Sequence, residues 1–208
     1  MNEKKLNQIS IELSSPPKGI LAADESTNTI KKRFDLINVE SNFENRRKYR
    51  ELLFKTKNLN GFISGIILYD ETIKQSTSEG IPFPVYLEKK KIAPGIKVDA
   101  GAIPITNESS EKITEGLDGL SKRLQEYKAL GAVFTKWRAI IDIHTKNNLP
   151  SEHCIESNAF VLGRYARIVQ ENDMVPIVEP EVIMDGKHSI EDCYDVTAKT
   201  LKKGFNQL

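Results

Sequence analysis

Five short apolar runs, each ending in charged residues, do most to limit what this chain can fold into. They are residues 19–23 before Asp24-Glu25, residues 61–68 before Tyr69-Asp70-Glu71, residues 93–99 ending Lys97-Val98-Asp99, residues 132–138 ending Lys136-Trp137-Arg138, and Val175-Pro176-Ile177-Val178-Glu179-Pro180-Glu181. Runs of this length and apolar density read as strands, and the last reads as a strand buried on both faces. Glu179 and Glu181 then share one side of an extended chain, with Pro180 suited to a strand leaving its sheet. Two carboxylates there are unfavourable unless cations or a substrate meet them.

Helical patterns fill the intervals. Leu6, Ile9 and Leu13 give an amphipathic lead-in that Pro16-Pro17 stops, and Ser41-x-x-Glu44 has the form of a capping box opening a helix to about Lys57. Ile113, Leu117, Leu120, Leu124 and Tyr127 recur at steps of three and four, which predicts one long helix ended by Gly131. Ile155, Ala159, Leu162, Ala166 and Val169 mark another from about Ser151. Ser189-x-x-Asp192 caps a last helix with Ile190, Tyr194, Leu201 and Phe205 expected inward. Strand and helix alternate five times with no hairpin signal, which predicts a parallel sheet with right-handed crossovers. Ligands in such sheets bind at the carboxyl ends of the strands, where these charges lie.

The net charge of +1 gives no electrostatic case for nucleic acid or an anionic membrane. No apolar run approaches a membrane span, and the first residues lead into no signal-peptide core. Cys154 and Cys193 form no CxxC pair, so a reducing cytoplasm is the natural compartment. His144, His153 and His188 have no metal-ligand spacing, and no G-x-G-x-x-G or P-loop appears; neither a metal nor another cofactor is called for. The run Lys89-Lys90-Lys91 reads as a solvated turn.

Alternation puts Lys97 with Asp99, Lys136 with Arg138, and Glu179 with Glu181 on shared faces of neighbouring strands, and Asp24 ends the first strand. Neighbouring strands lie about 5 Å apart, close enough for these groups to act on one another's protons. The mixture suits chemistry beside a carbonyl: a lysine amine can form an imine, another cation can hold its pKa down, and a carboxylic acid can shuttle protons. Lys32, Arg33, Arg46 and Arg138 could hold phosphate groups of a substrate. A layer of compensating salt bridges that only fixes strand register is the non-functional alternative.

The stretches Lys18-Gly19-Ile20-Leu21-Ala22-Ala23-Asp24-Glu25-Ser26-Thr27, Asn45-Arg46-Arg47, Gly95-Ile96-Lys97-Val98-Asp99, Gly116-Leu117-Asp118-Gly119-Leu120, Lys136-Trp137-Arg138 and the fifth apolar run fall in one order across nearly the whole chain. Together they resemble class I fructose-1,6-bisphosphate aldolase, the metal-independent kind that works through a Schiff base. The resemblance implies an α/β fold of the TIM (β/α)8 barrel family with about the first five βα units present, as one partial barrel domain over residues 1–208. It implies Glu179 as the general acid/base that dehydrates the carbinolamine and Asp24 as the carboxylate that orients a substrate hydroxyl. Lys136 resembles a substrate-contacting lysine, Lys97 and Glu181 its charge partners, and Arg46 and Arg138 substrate-binding arginines. Ser26, Thr29, Lys32 and Arg33 match a phosphate-binding region, with Thr29 where serine is usual and Asn28 where glycine is usual.

The family's imine-forming lysine lies on a sixth strand, in a motif resembling Leu-Leu-Lys-Pro, which these residues do not contain. Five strands do not close an eight-stranded barrel, so the first and fifth strands are expected to be open edges and the chain a truncated, inactive form. The implied partner is a sugar phosphate, with a homo-oligomer for the full-length family. The alternatives are transaldolase-like imine chemistry at Lys136, or a non-catalytic remnant that binds a sugar phosphate or a protein.

Overall fold

The computed structural model describes residues 1–208. In chain order the elements are α1 (Glu3–Ser14), β1 (Gly19–Ala22), α2 (Thr27–Asp35), α3 (Phe43–Phe54), β2 (Ile63–Leu68), α4 (Asp70–Ile73), α5 (Phe83–Lys89), β3 (Ala93–Lys97), β4 (Gly101–Pro104), β5 (Lys112–Glu115), α6 (Leu120–Ala129), β6 (Phe134–Ile141), α7 (Glu152–Glu171), β7 (Val175–Val182) and α8 (Ile190–Phe205), with single 3₁₀ turns at Leu59–Gly61 and Thr145–Asn147. Five strands form one sheet in the order β1-β2-β3-β6-β7. β1 pairs with β2, and β2 with β3, in parallel. The remaining rungs advance in the same sense: Val133 N–H donates to Pro94 and Val98 N–H to Lys136, then Val175 N–H to Val133 and Ile183 N–H to Ile141. The five apolar runs are these five strands.

Several local expectations are corrected. β4 and β5 form an antiparallel hairpin where no hairpin was expected. Ile113 belongs to β5, so the long helix expected from it begins only at Leu120. Gly116 and Gly119 have φ of +123° and +65°, which breaks any helix between them. The cap of α3 is Asn42, whose side chain accepts from the Asn45 N–H; Ser41 is no capping box. Ser189 and Asp192 do form the expected box at α8, but Ile190, Tyr194 and Phe205 are more than two-thirds exposed and Leu201 is 41% exposed. β7 is half-buried at every residue instead of buried on both faces, because it stands at the sheet edge. Pro180 does not end it: the strand runs to Val182, and an edge strand tolerates the missing donor.

Two compact units divide the chain. The first comprises Met1–Lys97, Arg123–Thr135 and Asp173–Val175. Its core includes Leu13, Ile30, Phe34, Phe54, Ile66, Leu68, Phe83, Ile96, Leu124 and Phe134. Phe134 lies against β2 and β3 where both carry glycine: an added Cβ would stand 3.0 Å from its ring at Gly65 and 2.2 Å at Gly95. The Ser64 hydroxyl donates to the Leu13 carbonyl at 2.7 Å, fastening the end of α1 to β2.

The second unit comprises Val98–Lys122, Lys136–Asn172 and Pro176–Leu208. Its centre is the expected stripe of α7, where Ile155, Ala159, Leu162, Ala166 and Val169 are all buried. Trp137 of β6 and Tyr165 of α7 stack with ring centroids 5.2 Å apart, and the Tyr165 hydroxyl donates to the Ile177 carbonyl of β7 at 3.3 Å. Asn158 Nδ2 donates to the Lys112 carbonyl at 2.9 Å, which holds the hairpin on α7. Lys199 and Lys203 of α8 meet Glu152 at the start of α7, the latter pair at 2.8 Å.

Candidate active site

In the second unit, the register of β6 and β7 decides which charges meet. The Lys136 ammonium stands 3.1 Å from Glu179 Oε2. Two residues further along both strands, the Arg138 guanidinium bonds Glu181. Lys136 has only 11% of its side chain exposed and Glu179 35%, so this pair is the more sheltered of the two. Each cation therefore has an acid partner on the neighbouring strand.

Asp99 completes this group from the backbone side. Its Oδ1 accepts the Gly101 N–H at 3.2 Å and its Oδ2 accepts the Arg138 N–H at 3.4 Å. The hairpin is anchored to the same strand, since the Thr114 hydroxyl donates to the Arg138 carbonyl at 2.8 Å. Gly116 is required there: an added Cβ would stand 2.8 Å from the Ala100 nitrogen. The hairpin missed by sequence reasoning is thus fastened to the middle of β6, at Arg138. Its signal was the pair of glycines at 116 and 119 inside an apparent helical stripe.

In the first unit, Asp24 lies two residues past the end of β1 and is buried, with 8% exposure. Lys97 is the last residue of β3 and is half-buried. Arg46 is held bidentately by Glu71, with Nε and Nη2 donating at 2.8 and 2.6 Å, while its Nη1 donates to the Ser41 carbonyl at 2.6 Å. Arg33 bonds Glu25, and Lys32 is exposed. Ser26 caps α2: its hydroxyl accepts the Thr29 N–H at 3.3 Å and lies 3.1 Å from the Thr29 hydroxyl. The helix start expected to bind phosphate therefore has both hydroxyls turned to the cap.

Sequence reasoning missed the carboxylates that hold these arginines, and a buried arginine beside them. Arg50 donates to the Glu25 carbonyl at 2.8 Å and lies 3.0 Å from its carboxylate. Its guanidinium also stands 5.3 Å from the Tyr49 ring centroid, within reach of a cation–π contact. Burial draws its pKa down, against the opposing pull of Glu25, Tyr49 and Asp24. Glu71 and Glu25 both follow strand ends, at the rim positions where charge was already visible. Arg50 had no such signal, being one of three arginines on α3.

Two chemical capacities are therefore present. The Lys136–Glu179 pair can pass a proton between an ammonium and a carboxylate in a site of restricted solvation. Arg46, Arg138 and Arg33 can each exchange a carboxylate partner for a phosphate, the same planar fork serving both.

Comparison with known proteins identifies the family. Residues 5–208 match the family model of class-I fructose-bisphosphate aldolase. A probable class 1 fructose-bisphosphate aldolase of Xanthomonas campestris is 53% identical over 208 residues, which is 100% of this chain and 62% of that protein. The fructose-bisphosphate aldolase of Dictyostelium discoideum is 53% identical over 195 residues, 93% of this chain and 55% of the relative. Among solved structures, fructose-bisphosphate aldolase from Plasmodium falciparum, in complex with TRAP and a small-molecule inhibitor, superposes with a TM-score of 0.96 at 50% identity. That likeness covers 99% of this chain and 59% of the other, and it makes the fold that of part of a TIM barrel. The chain thus spans about three-fifths of the length of the relatives it matches. With the family model matching almost from end to end, the chain belongs to the class-I fructose-bisphosphate aldolases.

Proposed function

We propose that these residues are the acid–base and anion-binding portion of an enzyme that cleaves fructose 1,6-bisphosphate reversibly to dihydroxyacetone phosphate and glyceraldehyde 3-phosphate, through a Schiff base, in cytoplasmic glycolysis. The observation that carries this reading is the 3.1 Å pairing of Lys136 with Glu179 on adjacent strands, in a chain of this family. Glu179 gives a proton to the carbinolamine hydroxyl as it leaves as water, and takes one back on hydrolysis. Lys136 keeps the carboxylate charged between these steps, and its positive charge lowers the pKa of any amine placed beside it. Asp24 orients the hydroxyl next to the bond that breaks. Lys97 and Glu181 serve as charge partners of Lys136. Arg46 and Arg138 bind the substrate's anionic ends, with Ser26, Thr29, Lys32 and Arg33 at one phosphate.

The amine that attacks the carbonyl is outside this set. We read the chain as one partial barrel domain whose completion requires further strands, and the full-length enzyme as a homo-oligomer. Trapping with dihydroxyacetone phosphate and borohydride, followed by peptide mapping, tests the assignment. The expected result is no adduct on Lys136 and no steady-state cleavage by the 208-residue chain, with bisphosphate binding weakened by Arg138→Ala. An adduct on Lys136 would move the nucleophile to β6 and favour transaldolase-like chemistry; ordinary turnover would overturn the division of labour altogether.

A further inference from the structure

At the end of the first unit where β2 and β3 begin, a concavity of about 430 Å³ is lined by Lys55, Lys57, Lys89, Lys90 and Lys91, together with Asn58 and buried apolar residues. No acidic side chain lines it. Lys55 is neutralised by Glu51 and Glu79 at 2.8 and 2.6 Å. Lys57, Lys89, Lys90 and Lys91 make no ion pair at all, and Lys90 has only the Tyr86 ring beneath it, 5.7 Å from the centroid. The whole chain has a formal charge of +1, so four uncompensated lysines around one hollow are a local concentration and do not reflect a general excess. Lys91 holds this place at φ +60°, where glycine or asparagine is the ordinary choice. The backbone N–H groups of Lys57 and Asn58 also donate to nothing in the chain, which adds neutral donors to the charged ones.

Like charges gathered in a concavity repel one another and raise the potential there, which an anion of several charges relieves. We propose that this basin binds a small polyphosphate anion. It lies at the opposite end of β3 from Lys97, about 15 Å away along the strand, so it is separate from the candidate active site and does not depend on the function proposed for it. Its form favours a small ligand over a macromolecule. Phe54, the one aromatic residue in its lining, is fully buried and offers no face for stacking a base. A recessed floor without exposed apolar anchors is likewise poorly shaped for a lipid surface.

Calorimetric titration of the chain with inorganic triphosphate tests the proposal. The expected result is saturable binding that weakens with added salt, is not displaced by fructose 1,6-bisphosphate, and falls at least roughly tenfold in Lys57→Ala/Lys89→Ala/Lys90→Ala. The variant Lys4→Ala/Lys5→Ala/Lys202→Ala, which removes equal charge elsewhere, should bind as the parent does. Unchanged circular dichroism shows that each variant is folded. Equal weakening in both variants would reduce the effect to net charge, and displacement by the bisphosphate would assign the anion to the sugar-phosphate site. Absence of triphosphate binding, with single-stranded RNA or phosphatidylserine vesicles captured through the same lysines, would hand the basin to a macromolecule. Any of these three results overturns the proposal.

Discussion

Gly95→Ala should destabilise the fold through one contact, and the size of the effect can be worked from the structure. An added Cβ would stand 2.2, 2.4 and 2.6 Å from three atoms of the Phe134 ring. Carbon atoms normally approach to about 3.5–4.0 Å, so the ring would have to retreat by more than about 1 Å. Phe134 has 0% exposure and also faces Gly65, where an added Cβ would already stand 3.0 Å away, so its room to retreat is small. Overpacking of this kind costs about 1–3 kcal/mol, and a site this closed belongs near the upper end. Stiffening of the unfolded chain by the new methyl returns about 0.4–1 kcal/mol. The net expectation is a loss of about 2 kcal/mol.

Urea unfolding followed by the single tryptophan, Trp137, with far-ultraviolet circular dichroism to check that the transitions coincide, measures that loss. Gly19→Ala is the control, since nothing lies within 4 Å of a Cβ there, and it should show only the gain of about 0.4–1 kcal/mol from the stiffer unfolded chain. The decisive measurement is the cycle with Phe134→Leu. A smaller side chain makes room for the methyl, so the double variant should be more stable than the sum of the single effects by at least about 1 kcal/mol. Additivity within about 0.5 kcal/mol would refute the reasoning, because the loss would then come from somewhere other than the glycine slot.

Glu51→Gln should reduce stability by about 1.5–3 kcal/mol at neutral pH, since its carboxylate holds Arg47, Lys55 and both the N–H and hydroxyl of Ser78. Burial pushes the Glu51 carboxyl up, but Lys55, Ser78 and Arg47 outweigh it and hold it well below the usual range. A depressed folded value gives stability that is complete above about pH 4 and lost as pH falls from there, so the gap between parent and variant in urea midpoints should close in acid; a gap that widened would refute the sign. Burial pushes the Cys154 thiol up to about 11, whereas Cys193 is only half-buried. Iodoacetamide at about pH 8 should therefore label Cys193 in the native chain and reach Cys154 only in urea, as peptide mapping would read. Tyr194→Ser/Phe205→Ser should lower dye binding and concentration-dependent association without lowering the unfolding midpoint, because both side chains are about 70% exposed on α8.

The strands and the α7 stripe were legible because their signals are local: a short apolar run bounded by polar residues, or a repeat of three and four. The hairpin was not, because Ile113, Leu117 and Leu120 copy helical spacing by coincidence. The positive φ of Gly116 and Gly119 separates them, together with the close approach of Gly116 to Ala100. The α8 stripe was found but its direction was misjudged. Periodicity reveals an apolar face without saying what covers it, and within its unit this helix buries Thr200 and Gly204 instead. The site divides in the same way. Which cations and acids share a strand face follows from alternation, but the partners of Arg46 and Arg33 come from Glu71 and Glu25, and no pattern in the sequence joins them.

The pairing of β6 with β7 shows why a site of this kind can be read from two strands once their register is known. Val133 receives Val175 and Ile141 receives Ile183 with the same offset in sequence, so no bulge intervenes between those rungs. With that register, Lys136 meets Glu179 and Arg138 meets Glu181. A slip of one residue would turn all four side chains relative to their partners and would bring Trp137 out of its stack with Tyr165. Packing on the helical face of β6 therefore fixes the chemistry on the other face. Trp137 and Tyr165 fasten the strand from outside, and the hydrogen bond from Tyr165 to Ile177 fastens its neighbour. Tyr165→Phe keeps the stack and removes only that bond. It should leave β6 in place while loosening β7, so exchange at the backbone amides of β7 should quicken before exchange in β6. Uniform quickening across both strands would mean that the hydroxyl does not set the register, and the link between packing and ion pairing would then fail.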